Sequence, residues 1–383
     1  MAFSFSDEQE EFRAVLRRFL EDKSPTSEVR RWMETEAGWD RETWRRLNQE
    51  LGLTAIHIPE DYGGQGFGFV ELAIVLEETG RALLCAPYFA STALAATAIM
   101  NAGDEDRKRA LLPDIAAGES VATLAFTEDN GRWDPSGVEL TATPADGGYL
   151  LDGAKSFVLD GHTADLIVVL ARLPGSSGDQ GLSFFTVSGQ AKGLERRPLR
   201  TVDQTRKQAR LTFDAVPAEP LGAMGEAAEP LARTLDQAAV CLANEMVGGA
   251  ERLRQDTMDY IGMRMQFGRA IASFQAIKHR AADLLVEVEL AKSAAYYAAA
   301  AAAEDSEDLP AVASLAKACA ADAYMHTAIE AIQLHGGIGF TWDNDTHLWF
   351  KRAKSSEVFL GDPSHHRELM MQRWDAPAEG AVA

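Results

Sequence analysis

Between Ser120 and about Pro220 the chain reads as a block of short strands, and on both sides of that block it reads as helix. VATLAF, GVELTATP, GYLLDG, DLIVVLAR, LSFFTVSG and ARLTFDAVP are rich in β-branched and aromatic residues and are separated by turn signals such as DGG and SSG. Helix, sheet and helix in series is an uncommon order. It implies an α+β fold with an N-terminal helical domain (1–119), a middle β-sheet or barrel domain (120–222), a C-terminal four-helix bundle (223–375) and a tail (376–383). A β-domain set between helical domains invites a cofactor in the crevice where they meet.

The helical stretches carry their own punctuation. SDEQEEFRAVLRRFLED offers Ser6 as an N-cap and an apolar stripe at Phe12, Val15, Leu16, Phe19 and Leu20. ETWRRLNQELG stops at Gly52, and the loop Pro59–Gly68 precedes VELAIVLEETGRALL. After Pro220 no convincing strand is expected, and four long helices are read over 228–262, 275–304, 310–335 and 343–373.

A formal net charge of −21 argues against nucleic-acid or anionic-membrane partners, which need a wide positive field. Any anionic ligand must then be met locally. Cys85, Cys241 and Cys319 have no paired or metal-ligand spacing, which suits a reducing compartment. The N-terminus lacks a basic and apolar leader pattern, and no 18 apolar residues run together, so a cytoplasmic location is expected. His326, His347, His365 and His366 share no ligand spacing on one helix face, and no metal is expected.

The local exception to the acidity is YIGMRMQFGRAIASFQAIKHRAA, Tyr260–Ala282, which carries Arg264, Arg269, Lys278 and Arg280 with no acidic residue. It is either a solvated basic face or a seat for an anion. Arg264–His279 resembles the R-x-Q-F-G-x-x-I-x-x-F-Q-x-x-K-H segment of the flavin-dependent acyl-CoA dehydrogenases. HIPEDYGGQGFGFVELAIVLEETGRALL, TLAFTE and QLHGGIGFTWDNDTHLWFKRAKSS resemble three further segments of that family, in the family's order, so the resemblance covers nearly the whole chain.

The resemblance implies FAD as cofactor, its pyrophosphate held by Arg264 across a subunit interface, with Phe267, Phe274 and Gln275 around the adenosine half. A guanidinium fork can hold phosphate oxygens in pairs. Gln333, Gly336 and Gly337 would form a facing wall, where glycines allow backbone N–H groups close to the ligand; the same glycines would also end a helix. His335 would face the nucleotide and His279 would be a structural histidine. On the sheet, Phe126, Thr127 and Phe157 match flavin-ring contacts, whereas Leu159 stands where the family usually has a hydroxyl.

The family's reaction, α,β-dehydrogenation of an acyl-CoA to a trans-2-enoyl-CoA, needs a carboxylate to take the α-proton. Leu360 occupies the commonest position for that base, and Ala238 the alternative one. Glu245 lies seven residues beyond Ala238, within about 20° of the same direction and roughly 10 Å further along the helix. Set among Cys241, Leu242, Gly248 and Gly249, it reads either as a general base isolated in apolar surroundings or as one half of a buried pair with a neighbouring helix's Arg or Lys. Two readings follow from the resemblance: a dehydrogenase passing electrons to an electron-transfer flavoprotein, or a non-catalytic subunit sharing the FAD site of an α2β2 assembly. Either implies a homo- or hetero-tetramer.

Overall fold

A computed structural model describes residues 5–374; the tail expected at 376–383 lies outside the described residues. The described chain divides into two compact units, one made of 5–26, 72–84 and 239–374 and the other of 27–71 and 85–238. The first 119 residues therefore contribute helices to both.

The helices of the N-terminal stretch are α1 (Asp7–Lys23), α2 (Thr26–Met33), α3 (Arg41–Leu51), α4 (Phe69–Arg81), α5 (Thr97–Ala102) and α6 (Glu105–Ala116). Ser6 caps α1 as expected, accepting from the Gln9 N–H while the Gln9 side chain accepts from the Ser6 N–H. Gly52 ends α3 in the left-handed conformation (φ 62°).

The β-block forms β1 (Ala122–Ala125), β2 (Thr141–Ala145), β3 (Gly148–Leu159), β4 (Leu166–Arg172), β5 (Leu182–Ser188), β6 (Leu194–Pro198) and β7 (Gln208–Leu221). The order β1-β4-β2-β3-β7-β5 is closed by pairing of β4 with β5, with β6 added beside β7. Inward-facing Ile167, Val169, Phe185, Val187, Leu211 and Phe213 fill the interior. β1 and the middle of β4 and β5 are buried on both faces, which is why they read as continuous apolar runs. β6 was invisible to that signal because LERRP has no buried residue.

In the other unit, the remainder of the chain forms α7 (Ala228–Met263), whose first residues belong to the β-unit, then the two-residue strands β8 (Met265–Gln266) and β9 (Arg269–Ala270), α8 (Gln275–Ala303), α9 (Leu309–His335), α10 (Thr346–Val358) and α11 (Pro363–Trp374). Two sequence expectations are corrected here. A strand pair does follow Pro220, because MQFGRA folds into a tight hairpin with Phe267 and Gly268 both at positive φ (53° and 76°). The fourth long helix is broken at Phe359–Asp362, where Leu360 and Gly361 turn left-handed (φ 61° and 104°) and Asp362 accepts the His365 N–H just before Pro363 restarts the helix.

Close packing of α4 on α7 depends on glycine. A Cβ on Gly80 would meet the Glu245 carbonyl oxygen at 2.0 Å, and one on Gly248 the Glu77 carbonyl oxygen at 1.9 Å. Buried charge ties α1 to the same place: Arg13 donates to Glu77 at 2.6 Å, Tyr296 donates to Glu77 at 2.9 Å, and Arg17 grips Glu78 through two bonds. Burial opposes the Arg13 charge, yet the Glu77 carboxylate beside it raises the Arg13 pKa overall.

Two buried histidines make the fold acid-sensitive. Burial pushes His57 down to about 4, and burial together with the Lys317 charge pushes His366 down to about 3. Between pH 6.5 and those values the unfolded chain binds protons that the folded chain refuses, so stability is intact above pH 6.5 and falls as pH drops. The expected loss at pH 5 is on the order of 2 kcal/mol per histidine. Urea denaturation at pH 7 and pH 5 measures it; equal midpoints at the two pH values would contradict the assignment.

Candidate functional site

The expected flavin contacts divide between the two units, and each group stands on its own local architecture. In the β-unit, Thr127 follows β1 and is locked to β3: its hydroxyl donates to the Ser156 carbonyl at 2.7 Å, and its own carbonyl accepts the Ser156 N–H at 2.9 Å. The next residue, Phe157, sits in a β-bulge at φ 59° and is 43% exposed, so the strain of a left-handed aromatic is held by the strand pairing around it. Phe126 is buried, and its carbonyl accepts from the Lys155 ammonium at 3.2 Å. Burial pushes Lys155 down to about 8, opposed by its ion pair with Glu128 at 2.7 Å. Leu159 is buried and presents no hydroxyl.

In the helical unit, α7 ends at Met263 and the next residue is Arg264. Its backbone is fixed from both sides, donating to the Tyr260 carbonyl at 2.8 Å and accepting from the Ile271 N–H at 2.9 Å. Its side chain is exposed and meets no described residue in a hydrogen bond or ion pair. Phe267, at the hairpin tip, is 90% exposed, while Phe274 is half-buried with the Arg269 guanidinium 4.0 Å above its ring. Gln275, which opens α8, is exposed, as are Gln333, Gly336 and Gly337.

Tyr260 and His335 bring the two segments of this unit together. Their rings stack at 4.2 Å, and the Tyr260 hydroxyl donates to the His335 carbonyl, so the Arg264 hairpin lies by the end of α9 and its glycines. Gly336 takes φ 67°, and a Cβ on Gly336 or Gly337 would meet nothing within 4 Å. Open space over paired glycines, an exposed guanidinium and the exposed, left-handed Phe267 fit a dinucleotide of FAD's chemistry. The two histidines differ in setting from what was expected of them. His335 is buried, donating from Nδ1 to the Ala331 carbonyl at 2.7 Å, whereas His279 is exposed.

Neither family base position holds a carboxylate. Ala238 is fully buried, and Leu360 is buried with its backbone pinned by His366 Nε2, which donates to the Leu360 carbonyl at 2.9 Å. Lys317 holds the same turn, donating to the Glu357 and Gly361 carbonyls at 2.6 Å each. Burial pushes its ammonium down to about 7, against the raising effect of Glu357, Asp362 and Asp322.

Glu245 is not isolated. Its Oε1 accepts from Arg352 Nη1 at 2.7 Å, with both side chains nearly inaccessible at 7% and 4% exposure. Of the two sequence readings, the apolar setting is corrected and the buried pair is observed. Arg352, within α10, was not among the expected site residues; KRAKS gave no sign of which basic residue turns inward.

Family models for the acyl-CoA dehydrogenase N-terminal, middle and C-terminal domains match residues 6–119, 123–216 and 230–374. The chain belongs to the acyl-CoA dehydrogenase family. Members of this family are FAD-dependent oxidoreductases that dehydrogenate acyl-CoA thioesters, and that is the class of this chain. Among relatives, acyl-CoA dehydrogenase IpdE2 of Mycobacterium tuberculosis is 32% identical over 97% of this chain and 99% of its own. A structure of the Tcur3481-Tcur3483 steroid ACAD is 31% identical with a TM-score of 0.86, covering 98% of this chain and 99% of that one. The ChsE4-ChsE5 complex from M. tuberculosis aligns at 26% identity and a TM-score of 0.87, covering 99% and 100%. No helix among the described residues is long and apolar enough to cross a membrane.

Proposed function

We propose that this acyl-CoA dehydrogenase family chain is the base-lacking subunit of a heteromeric cytoplasmic enzyme. It offers Arg264, Phe267, Phe274, Gln275 and the Gln333–Gly337 segment to FAD, and a related chain supplies the carboxylate. The Glu245–Arg352 pair carries this reading, because the carboxylate singled out as the candidate base is committed to a buried guanidinium. Pulling Glu245 away to accept a proton would strand the Arg352 charge in the interior. Ala238 and Leu360, both buried, leave the other two positions without a proton acceptor. The likeness to the ChsE4-ChsE5 complex supports a partnership of two related chains.

Bound FAD supplies the hydride acceptor for the acyl-CoA Cβ, and an electron-transfer flavoprotein is the proposed next acceptor. This chain's residues would hold the cofactor: Arg264 would meet the diphosphate, Phe267 and Phe274 would flank the adenosine end, and Gly336 and Gly337 would present their N–H groups. Flavin content and native mass of the purified chain test the proposal. Alone, it is expected to carry about half a flavin per chain or less and to show no bleaching with acyl-CoA; copurified with a base-bearing relative it is expected to be yellow and reducible. One flavin per chain, bleached by substrate in the absence of any partner, would overturn the proposal.

A further inference from the structure

Within the helical unit, α1, the Ser24–Thr26 link and the ends or faces of α4, α7 and α10 enclose a cavity of about 360 Å³. Three guanidinia from three helices line it, those of Arg17, Arg81 and Arg252, against the carboxylates of Glu21 and Glu78. Both Glu78 oxygens are already taken by Arg17, at 2.9 and 2.6 Å, and Glu21 is exposed. Arg252 gives its Nε to Asp256 at 2.7 Å and lies 5.9 Å above the Trp349 ring.

Arg81 is the anomaly. In a chain with 58 acidic residues against 37 basic ones, its bond within the described residues goes to a neutral amide, Gln255 Oε1, at 2.7 Å. A guanidinium has five N–H donors, so most of this fork is left for water or a ligand. Burial and the Arg17 charge, with Arg252 adding to them against Glu78, push the Arg81 pKa down. Leu20, Pro25, Ala82 and the indole of Trp349 give the rest of the wall an apolar character, and a bare inorganic oxyanion would leave most of the volume empty.

We propose that this cavity binds a small organic oxyanion, a carboxylate or phosphate monoester with an aromatic or branched apolar body, recognised by Arg81 and Arg252. The site also bears on the buried pair described above. Arg252 is two helical turns from Glu245 on α7, and Trp349 is one turn from Arg352 on α10, so an occupant braces the two helices that hold that pair together.

Calorimetric titration of the full chain at fixed ionic strength, with phenyl phosphate, benzoate and inorganic phosphate as probes, tests this. Saturable binding of one phenyl phosphate or benzoate per chain is expected, with inorganic phosphate weaker by about tenfold or more. The tighter of the two aromatic probes identifies the anionic group. Arg81→Gln and Arg252→Gln are each expected to weaken binding by about tenfold or more, while Arg45→Gln, at an exposed arginine paired with Glu42 outside the cavity, leaves it unchanged. No saturable binding by the wild type up to about 10 mM overturns the proposal, as does undiminished binding by both cavity variants. Two separate arginine variants, each checked for its native circular-dichroism spectrum, keep a folding defect in one from deciding the outcome.

Discussion

Glu245→Leu is expected to destabilise the helical unit by about 3–5 kcal/mol, because it leaves the Arg352 guanidinium buried without its carboxylate. Arg352→Met is expected to do comparable damage from the other side, stranding a carboxylate that is 7% exposed. The informative variant is the double one. Replacing both residues together, as Glu245→Leu with Arg352→Met, removes two desolvated charges at once and is expected to recover most of the loss. Chemical denaturation of all four proteins closes this cycle. A strong recovery marks the two side chains as a structural couple. If the costs of the two single changes simply add in the double variant, the two groups are independent and the proposal that Glu245 is structurally committed fails.

Arg264→Ala is expected to abolish most flavin binding while leaving the fold intact. The side chain is exposed and takes no part in the packing of α7 or the hairpin, so folding stability is expected to change by less than about 0.5 kcal/mol. Against a diphosphate, the same guanidinium contributes charge-assisted bonds of about 1.5–3 kcal/mol, a weakening of roughly 10- to 150-fold in FAD affinity. Arg264→Lys is expected to recover only part of this, since an ammonium cannot reproduce the planar fork. Fluorescence titration of the purified complex with FAD measures both variants. Undiminished affinity in the alanine variant would remove Arg264 from the cofactor site.

The features legible in the sequence are those set by local chemistry. The Ser6 cap, the Gly52 stop and the strands whose faces are buried all follow from residue spacing, and they appeared where expected. β6 did not, because an exposed strand without an apolar face carries no alternation to read. The break between α10 and α11 had a signal, Asp362 followed by Pro363, which is a helix start placed inside an apparently continuous periodic run. The hairpin after α7 had one too, in the Phe-Gly turn, but two-residue strands are too short to alternate.

The site was legible only in part, for a related reason. Arg264 and the glycines stand out because they depart from their surroundings. The partner of Glu245 lies 107 residues away, and helical spacing fixes the direction of a side chain without naming what faces it. The burial of His335 and the exposure of His279 escaped the sequence on the same account: burial depends on which helix packs beside each, and Tyr260 stacks on the former. Lys317 left a fainter mark, a single basic residue in the alanine-rich ASLAKACAADAYM, where a buried ammonium must find carbonyls to donate to.

Rapid anaerobic mixing with acyl-CoA, applied to the complex of this chain with its base-bearing relative, shows which of the two chains supplies the base. The chain in that complex would carry the Glu245→Leu and Arg352→Met pair, which keeps the interior filled without its charges. If the carboxylate that takes the α-proton belongs to the relative, the flavin is reduced at the rate of the unmutated complex. A folded, flavin-loaded complex whose reduction is lost with this double change would show that Glu245 takes the proton, and the base-lacking assignment would be wrong.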